Sequence, residues 1–218
     1  RYASRGLGDV YKRQVYGSAF TLALLRRKLA ENGNKYDIPL IEMSPGSVFD
    51  IGAFSVEMVG LAHSIPDPTA LAIRCGAGTL LHTGDWKFDA TPGLGSDTDS
   101  TRLAEIGDEG VLAMVGDSTN AMVEGRTASE AEAEAGLKDA IAAATGRVAV
   151  TCFSSNVARI QSIIRAAQAN DRSVAVVGRA IKRAMSAAQE VGYLRDLPDF
   201  VAEGDICLLY TSPSPRDA

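Results

Sequence analysis

The second half of the chain alternates short apolar runs with longer amphipathic segments, and this alternation constrains the fold more than any other feature. Three runs have the length and β-branched content of buried strands: VLAMVG (111–116), VAVTCF (148–153) and SVAVVG (173–178). Helices are predicted to follow them, over about 129–144, 155–169 and 180–191. Such a β-α-β-α-β-α order is typical of an α/β fold with a parallel sheet covered by helices.

The first part of the chain is predicted to be richer in strands. Leucines at helical spacing predict a helix over about 20–31, and Gly33 follows as a stop. Alternating apolar and polar residues predict a strand at 54–60, and two further runs, 69–75 and 79–83, fit a hairpin around a Gly-Ala-Gly turn. The change of organisation near residues 125–130 is our candidate domain boundary.

Composition excludes several classes of protein. With 46% hydrophobic and 22% charged residues, the chain is ordinary globular material rather than a disordered, collagen-like, coiled-coil or disulfide-rich protein. No apolar run reaches the roughly 18 residues of a membrane helix, and no secretory leader is visible. The three cysteines form no CxxC pair, which favours a reducing, cytoplasmic setting. With only two histidines, a metal site needs carboxylate ligands or ligands from outside this chain.

Charge is distributed unevenly along the chain. The net charge is −5, yet residues 97–140 hold eleven acidic and three basic side chains, a balance of −8. Residues 146–183 hold seven basic side chains against one acidic, a balance of +6. This asymmetry indicates either two surfaces with different roles or simply solvated helix faces.

The two ends differ in character from the rest. Residues 1–14 and 207–218 show no helix or strand period, and the second segment is rich in Ser and Pro. Both resemble translated sequencing-adapter sequence, so we expect them to be non-native tails. The natural segment is then expected to be an internal fragment of a longer protein.

Three polar residues follow predicted strands, where the sites of layered α/β folds gather. His63 lies on a loop stiffened by Pro66 and Pro68, which suits either a metal ligand or a hydrogen-bonded structural residue. Asp85, after Gly84, could bridge two metal ions or belong to an ordinary turn. Asp117 begins an Asp-Ser-Thr-Asn cluster that is either a site or a turn.

A possible phosphate site follows the next predicted strand. Ser154, Ser155 and Asn156 precede a helix, and Arg159 lies one turn into it. Free helix-start N–H groups with hydroxyl, amide and guanidinium groups suit an anion, although Ser and Asn also cap helices without binding anything. Arg179, after the last predicted strand, is a candidate for a second phosphate contact.

The order and spacing of these blocks resemble one known family. LAHSIPD, HTGDWKFD, GDSTNA with EGRTASE, TCFSSNVARIQ and VVGRA with VGYL are similar to the ribonuclease J family, whose members are metallo-β-lactamase-fold nucleases with an inserted β-CASP domain. VYGSAFTLALLRRKL resembles the helix that precedes these motifs, so the resemblance covers about residues 15–205. It implies a partial metallo-β-lactamase αββα-type sandwich at 15–128 and a partial β-CASP α/β domain with a parallel sheet at 129–206.

The resemblance also implies roles for individual residues. His63 matches the third metal-binding motif, a zinc ligand, and Asp85 matches the carboxylate that bridges two zinc ions. Asp117 matches the acidic residue of β-CASP motif A. The block Ser154, Ser155, Asn156 and Arg159, together with Arg179, falls where family members line the RNA path. The HxHxDH motif and the later β-CASP histidine motifs do not occur in this sequence, so a two-zinc site cannot be completed on this chain alone.

The implied function is metal-dependent cleavage of RNA phosphodiester bonds in RNA processing and decay, endonucleolytic, 5′-to-3′ exonucleolytic or both. Two zinc ions would serve the intact protein, which is expected to be a cytoplasmic homo-oligomer acting on RNA and not on a membrane. Two alternatives stay open: a small-molecule hydrolase of the metallo-β-lactamase fold, and a non-catalytic RNA-binding or subunit relative. The first leaves the basic α/β part unexplained, and the second predicts no HxHxDH motif upstream.

Overall fold

The computed structural model describes residues 14–31, 33 and 38–206, which form seven β-strands, five α-helices and a short 3-10 helix. The strands are β1 (Val15–Gly17), β2 (Leu40–Glu42), β3 (Val48–Ile51), β4 (Phe54–Gly60), β5 (Thr69–Cys75), β6 (Gly78–His82) and β7 (Ala113–Val115). The helices are α1 (Ala19–Glu31), α2 (Ser100–Glu109), α3 (Glu130–Ala143), α4 (Val157–Gln168), α5 (Arg179–Glu190) and the 3-10 turn Glu203–Asp205. Residues 1–13 and 207–218, which hold nearly all of the two expected tails, lie outside the described residues.

Most of the first part of the chain folds as a five-stranded sheet in the order β3-β4-β5-β6-β7. The first four strands pair antiparallel, and β5 and β6 form the predicted hairpin around Gly76 and Ala77. Helix α2 covers one face, where Ile106 packs against Val59 and Ala70. A separate parallel pair joins β1 to β2. The helix at 20–31 and the strand at 54–60 are therefore confirmed.

Strand β7 corrects one prediction. The run 111–116 was expected to be a buried strand, but the ladder covers only 113–115 and pairs parallel with β6 at the edge of the sheet. Its side chains are exposed, with Met114 at 65% and Val115 at 51%. An apolar run predicts a strand, but it does not show whether other elements of the fold cover that strand.

The second part holds the three predicted helices, but not the two predicted strands. Within the described ranges, residues 148–153 and 173–178 form no ladder, and one isolated parallel bridge joins Ala175 to Val201. The two segments line an open, largely apolar cavity of about 890 Å³ instead of pairing with each other. Strand identity depends on a partner at the right distance, which local sequence does not specify.

The main core joins both parts of the chain. Phe20 of α1 packs with Ile160 of α4 and Met185 of α5, and Leu194 closes the group; we call these packed side chains the helical cluster. Arg27 of α1 also donates to the backbone oxygen of Ser186 at 3.1 Å. Helix α1 precedes the sheet in sequence but packs on the helices that follow it.

The arrangement as a whole is mixed α/β, with both parallel and antiparallel strand pairs, and it confirms the predicted fold class. The proposed division at residues 128 and 129 remains a prediction. Among the described residues, no helix combines the length and apolar character that crossing a bilayer requires.

Candidate functional site

Two loops meet at one end of the five-stranded sheet, one after β4 and one after β6. Ala62 and Lys87 form an antiparallel bridge, in which the Lys87 N–H donates to the Ala62 oxygen at 3.1 Å. His63 is the next residue after one side of this bridge, and Asp85 lies two residues before the other side. The backbone therefore brings both predicted metal ligands to the same end of the sheet, with His63 half-buried and Asp85 exposed.

Asp117 is held at the same end by the loop after β6. Its N–H donates to Thr83 Oγ1 at 3.2 Å, and its backbone oxygen accepts from Trp86 Nε1 at 3.3 Å. The Thr83 N–H also donates to the Val115 oxygen at 2.9 Å, which ties the loop to β7. The HTGDWK segment therefore contains Asp85 and also positions Asp117 through the hydrogen bonds of Thr83 and Trp86.

The Asp117 carboxylate is favoured in its ionised form. Oδ1 accepts from the Thr119 hydroxyl at 2.5 Å and from the Thr119 N–H at 2.9 Å. These hydrogen bonds lower the pKa of Asp117, and the nearby charge of His63 contributes in the same direction. The Asp-Ser-Thr-Asn cluster thus forms the turn that the sequence allows, and its role in a site stays a prediction.

The donor types at this sheet end fit a metal ion, but the set is incomplete. An imidazole and carboxylates are common ligands of zinc, which is usually held by four groups in structural sites and by three protein groups in catalytic sites. In the described ranges, no group of three or more His, Cys, Asp or Glu side chains is placed to hold a metal ion. His63 and Asp85 could therefore contribute to a site that needs further ligands.

The predicted phosphate block adopts a capped helix start. Asn156 caps α4, with its Oδ1 accepting from the Arg159 N–H at 2.8 Å. The Arg159 guanidinium is bound to Glu130 through two hydrogen bonds, of 3.1 and 3.2 Å. The sequence left a phosphate contact and a simple helix cap open for this block, and the structure places the Arg159 guanidinium against a buried carboxylate 29 residues away. Ser154 is half-buried and Ser155 is exposed.

Glu130 belongs to a small charged cluster at the start of α3. Lys87 Nζ lies 2.7 Å from Asp89 Oδ2 and 3.6 Å from Glu130 Oε1. Asp89 Oδ2 also accepts from the Glu130 N–H at 3.1 Å. Burial opposes ionisation of Asp89, but the bonds from Lys87 and from backbone N–H groups outweigh it and lower its pKa. The loop that carries Asp85 is thus fastened to α3 and, through Arg159, to α4.

Arg179 begins α5 and is exposed. The helix-start N–H of Gly178 donates to Glu203 Oε1 at 3.1 Å, and Lys182 Nζ lies 3.2 Å from Glu203 Oε2. These two contacts lower the pKa of Glu203. A carboxylate of the chain itself thus occupies this helix start, which sequence reasoning missed because the two groups are 25 residues apart.

Comparison with known proteins identifies close sequence relatives. The profile of a family described as "Ribonuclease J, beta-CASP domain" matches residues 145–210. A ribonuclease J from Sinorhizobium meliloti is 47% identical over 203 residues, which cover 93% of this chain and 35% of that protein. One from Mycobacterium tuberculosis is 44% identical, covering 88% and 33%, and ribonuclease J2 of Bacillus subtilis is 39% identical, covering 83% and 32%. The chain spans about a third of the length of these relatives.

A solved structure supports the fold alone. It is the crystal structure of a protein of unknown function from Enterococcus faecalis V583, with a TM-score of 0.60 and 16% sequence identity. The similarity covers 88% of this chain and 50% of that one. The α/β arrangement therefore recurs in a protein whose sequence is only distantly similar.

Proposed function

Because the chain belongs to the ribonuclease J family, we propose that it contributes part of the active centre and RNA path of a metal-dependent ribonuclease. The reaction would be hydrolysis of RNA phosphodiester bonds, by endonucleolytic or 5′-to-3′ exonucleolytic cleavage, in RNA processing and decay. Family likeness is also the ground for proposing two zinc ions, a homo-oligomer and a cytoplasmic location.

One structural observation carries the proposal. His63, Asp85 and Asp117 come from three separate loops, yet the Ala62–Lys87 bridge and the hydrogen bonds of Thr83 and Trp86 bring these loops to one end of the sheet. Convergence of loops on a shared sheet end is what a site built from several motifs requires.

The three side chains offer different atoms to a metal ion or a substrate, so we propose different roles for them. His63 offers an imidazole nitrogen and Asp85 an exposed carboxylate, and we propose both as metal ligands. Bound metal ions would supply a hydroxide at neutral pH and stabilise negative charge on the scissile phosphate. Asp117, with its lowered pKa, stays ionised and accepts hydrogen bonds, so it suits orienting water or a ribose hydroxyl better than carrying a proton.

Arg179 and the start of α4 are the proposed RNA contacts. Arg179 is an exposed cation, and Ser154 and Ser155 offer hydroxyl groups beside Phe153, whose side chain is 85% exposed. An exposed aromatic ring next to hydrogen-bond donors suits a stacked, unpaired base. Asn156 and Arg159 form the helix start of this region, and their contact with RNA stays a prediction.

The test is a chimera in which residues 15–206 replace the aligned segment of the Sinorhizobium meliloti ribonuclease J. We expect it to cleave 5′-monophosphorylated RNA and to lose cleavage when a chelator removes metal. Chelator-insensitive cleavage would contradict the metal-dependent reaction. A chimera that hydrolyses a lactone or a thioester but leaves RNA intact would favour the small-molecule hydrolase instead, and a folded chimera that binds RNA without cleaving it would favour the non-catalytic alternative.

A further inference from the structure

The loop that carries His63 is held by a hydrogen bond between its two ends and by a buried proline in its middle. Its two ends are joined by a hydrogen bond from the Leu61 N–H to the Pro68 oxygen at 2.9 Å. Pro66 is fully buried, so the middle of the loop is anchored below the surface. Asp67 follows with a φ of 55°, a left-handed conformation that Asp adopts more readily than most residues. The end-to-end hydrogen bond and the buried proline thus restrict the backbone conformation of the loop.

A tyrosine from the far end of the chain reaches this loop. Tyr193 follows α5, and its own N–H donates to the Ala188 oxygen at 2.8 Å, which fixes its backbone to the helix end. Its hydroxyl donates to Asp67 Oδ1, across a separation of 126 residues. Burial raises the pKa of Tyr193, and the Asp67 carboxylate adds to the effect, so the phenol remains a donor at any physiological pH.

The apolar side of the same loop makes a second contact with the helices. Ile65 packs against the helical cluster, which is built from α1, α4 and α5. The residues on either side of Pro66 are therefore held by one polar and one apolar contact to the helical part of the chain. His63 lies two residues before Ile65, so its backbone position depends on elements that contribute nothing to the metal-binding motifs themselves.

We propose that Tyr193 is a positioning residue for the metal site, acting through Asp67 to hold the His63 loop on the helical part of the chain. The inference rests on the proposed function, because it takes His63 to be a metal ligand. Removing a group that orients a metal ligand typically lowers metal affinity or activity by about 10- to 100-fold. The contact also connects α5, where the proposed RNA contact Arg179 lies, to the loop that carries the metal ligand.

The first experiment measures amide hydrogen exchange by NMR in the full 218-residue chain. Tyr193→Phe removes one hydroxyl, and Tyr16→Phe is the matched control, because the Tyr16 hydroxyl donates to Gln14 on the exposed surface. We expect the Leu61 amide to exchange about tenfold faster in Tyr193→Phe and at the wild-type rate in Tyr16→Phe. Amides in β5 should not change, which separates loop release from general destabilisation. An unchanged Leu61 amide overturns the proposal whether or not the protein is a nuclease.

Variants of the acceptor keep the test open if Tyr193→Phe fails to fold. Asp67→Gly removes the carboxylate at a position whose φ suits glycine, so it should also speed exchange at Leu61. Asp67→Asn keeps an oxygen that accepts from the phenol and should restore the wild-type rate. If Asp67→Asn and Asp67→Gly behave alike, the hydrogen bond is not what holds the loop.

The second experiment uses the chimera and separates positioning from binding. Tyr193→Phe is expected to lower kcat on 5′-monophosphorylated RNA by about tenfold while KM stays within about twofold, because the loss is at the metal loop and not at the RNA contacts. A changed KM with an unchanged kcat would assign Tyr193 to RNA binding and contradict the proposal. Absence of any nuclease activity in the unmutated chimera would overturn the proposed function and, with it, the metal-site role of Tyr193; the exchange measurement would still show whether the contact holds the loop.

Discussion

Arg179 stands apart from the other basic residues of the 146–183 stretch. Four of the seven form ion pairs with carboxylates in the described part of the chain: Arg159 with Glu130, Arg165 with Glu134, Lys182 with Glu203 and Arg183 with Glu31. Arg172 instead donates to backbone oxygens of residues 144 and 146. The positive charge of this stretch is therefore largely offset by carboxylates from other parts of the chain.

For this reason we predict a specific effect of Arg179→Ala in the chimera. Losing one phosphate contact should weaken RNA binding and reduce the slope of log Kd against log salt by about one unit or slightly less. Arg183→Ala is the control, because Arg183 lies on the same helix but is engaged with Glu31 at 2.7 Å. Fluorescence anisotropy over a salt series measures this slope for both variants. An unchanged slope for Arg179→Ala removes this residue from the RNA path.

Glu130 gives the second prediction at this scale. It is only 4% exposed and faces Arg159 and Lys87. Neutralising it leaves the Arg159 guanidinium without its buried partner and removes one of the two carboxylates near Lys87, which keeps Asp89. We expect Glu130→Gln to lower the free energy of unfolding in urea by about 2 kcal/mol. Glu124→Gln, at an exposed loop position, should change it by less than about 0.5 kcal/mol. Equal effects of the two substitutions would show that the buried pair contributes nothing specific.

At the scale of single elements, helix α3 shows how local chemistry fixes a boundary. Ser129 Oγ accepts from the Glu132 N–H at 3.1 Å, and Glu132 Oε2 accepts from the Ser129 N–H at 2.7 Å, which completes the predicted capping box. Arg126 and these bonds lower the pKa of Glu132 to about 2. The cap's charge is therefore retained in mildly acidic solution.

Removing that cap should cost a defined amount of stability. Ser129→Ala leaves the Glu132 N–H without its acceptor, and we expect the free energy of unfolding to fall by about 1 kcal/mol. Thr127→Ala, two residues earlier at an exposed position, is the control and should be neutral. Chemical denaturation followed by circular dichroism measures both. If the two variants unfold at the same urea concentration, the cap is not stabilising the protein.

The elements that could be predicted from sequence are those whose causes are local. Capping residues and helical spacing predict α1, α3, α4 and α5, and the Gly-Ala turn predicts the β5–β6 hairpin. The extended segments 148–153 and 173–178 could not be predicted correctly, because a strand forms only where a partner pairs with it. Likewise, the exposure of β7 depends on what lies beside it in space.

The same distinction applies to the candidate site. His63, Asp85 and Asp117 could be found because each follows a strand, and strand ends that lie side by side in a sheet share one edge. The ion pair of Arg159 with Glu130 and the hydrogen bond of Asp67 with Tyr193 could not be predicted. Each joins residues far apart in sequence, which no local pattern specifies. Thr83 and Trp86 belong to the HTGDWKFD motif, but their hydrogen bonds to the Asp117 backbone depend on the pairing of β7 with β6.

At the scale of the whole molecule, a charged network fastens α2 to the sheet and makes stability depend on pH. Buried Glu57 accepts from Arg102 at 2.6 Å and from Arg74 at 2.7 Å, and both arginines also reach Glu109. The bond from Arg102 is the largest cause of the lowered pKa of Glu57, and the bond from Arg74 is the largest cause of the lowered pKa of Glu109.

A lowered folded-state pKa means that the network stabilises the protein fully above the ordinary glutamate value of 4.5. The stabilisation is lost as the pH falls from there through the lowered values. We predict that urea unfolding midpoints are flat near neutrality and decline in acid, and that Glu57→Gln lowers the neutral midpoint while weakening the acid decline. Parallel pH curves for wild type and Glu57→Gln would contradict this assignment.

The central claim is that His63 and Asp85 are metal ligands of a phosphodiesterase site assembled at one end of the sheet. The most direct test is cleavage of 5′-monophosphorylated RNA by the chimera carrying Asp85→Asn, with Asp97→Asn in an exposed loop as the control. Since a neutral amide is a much weaker metal ligand than a carboxylate, we predict a loss of at least about a hundredfold for Asp85→Asn, with bound metal reduced, and no loss for Asp97→Asn. Turnover by Asp85→Asn within twofold of the unmutated chimera would contradict the claim.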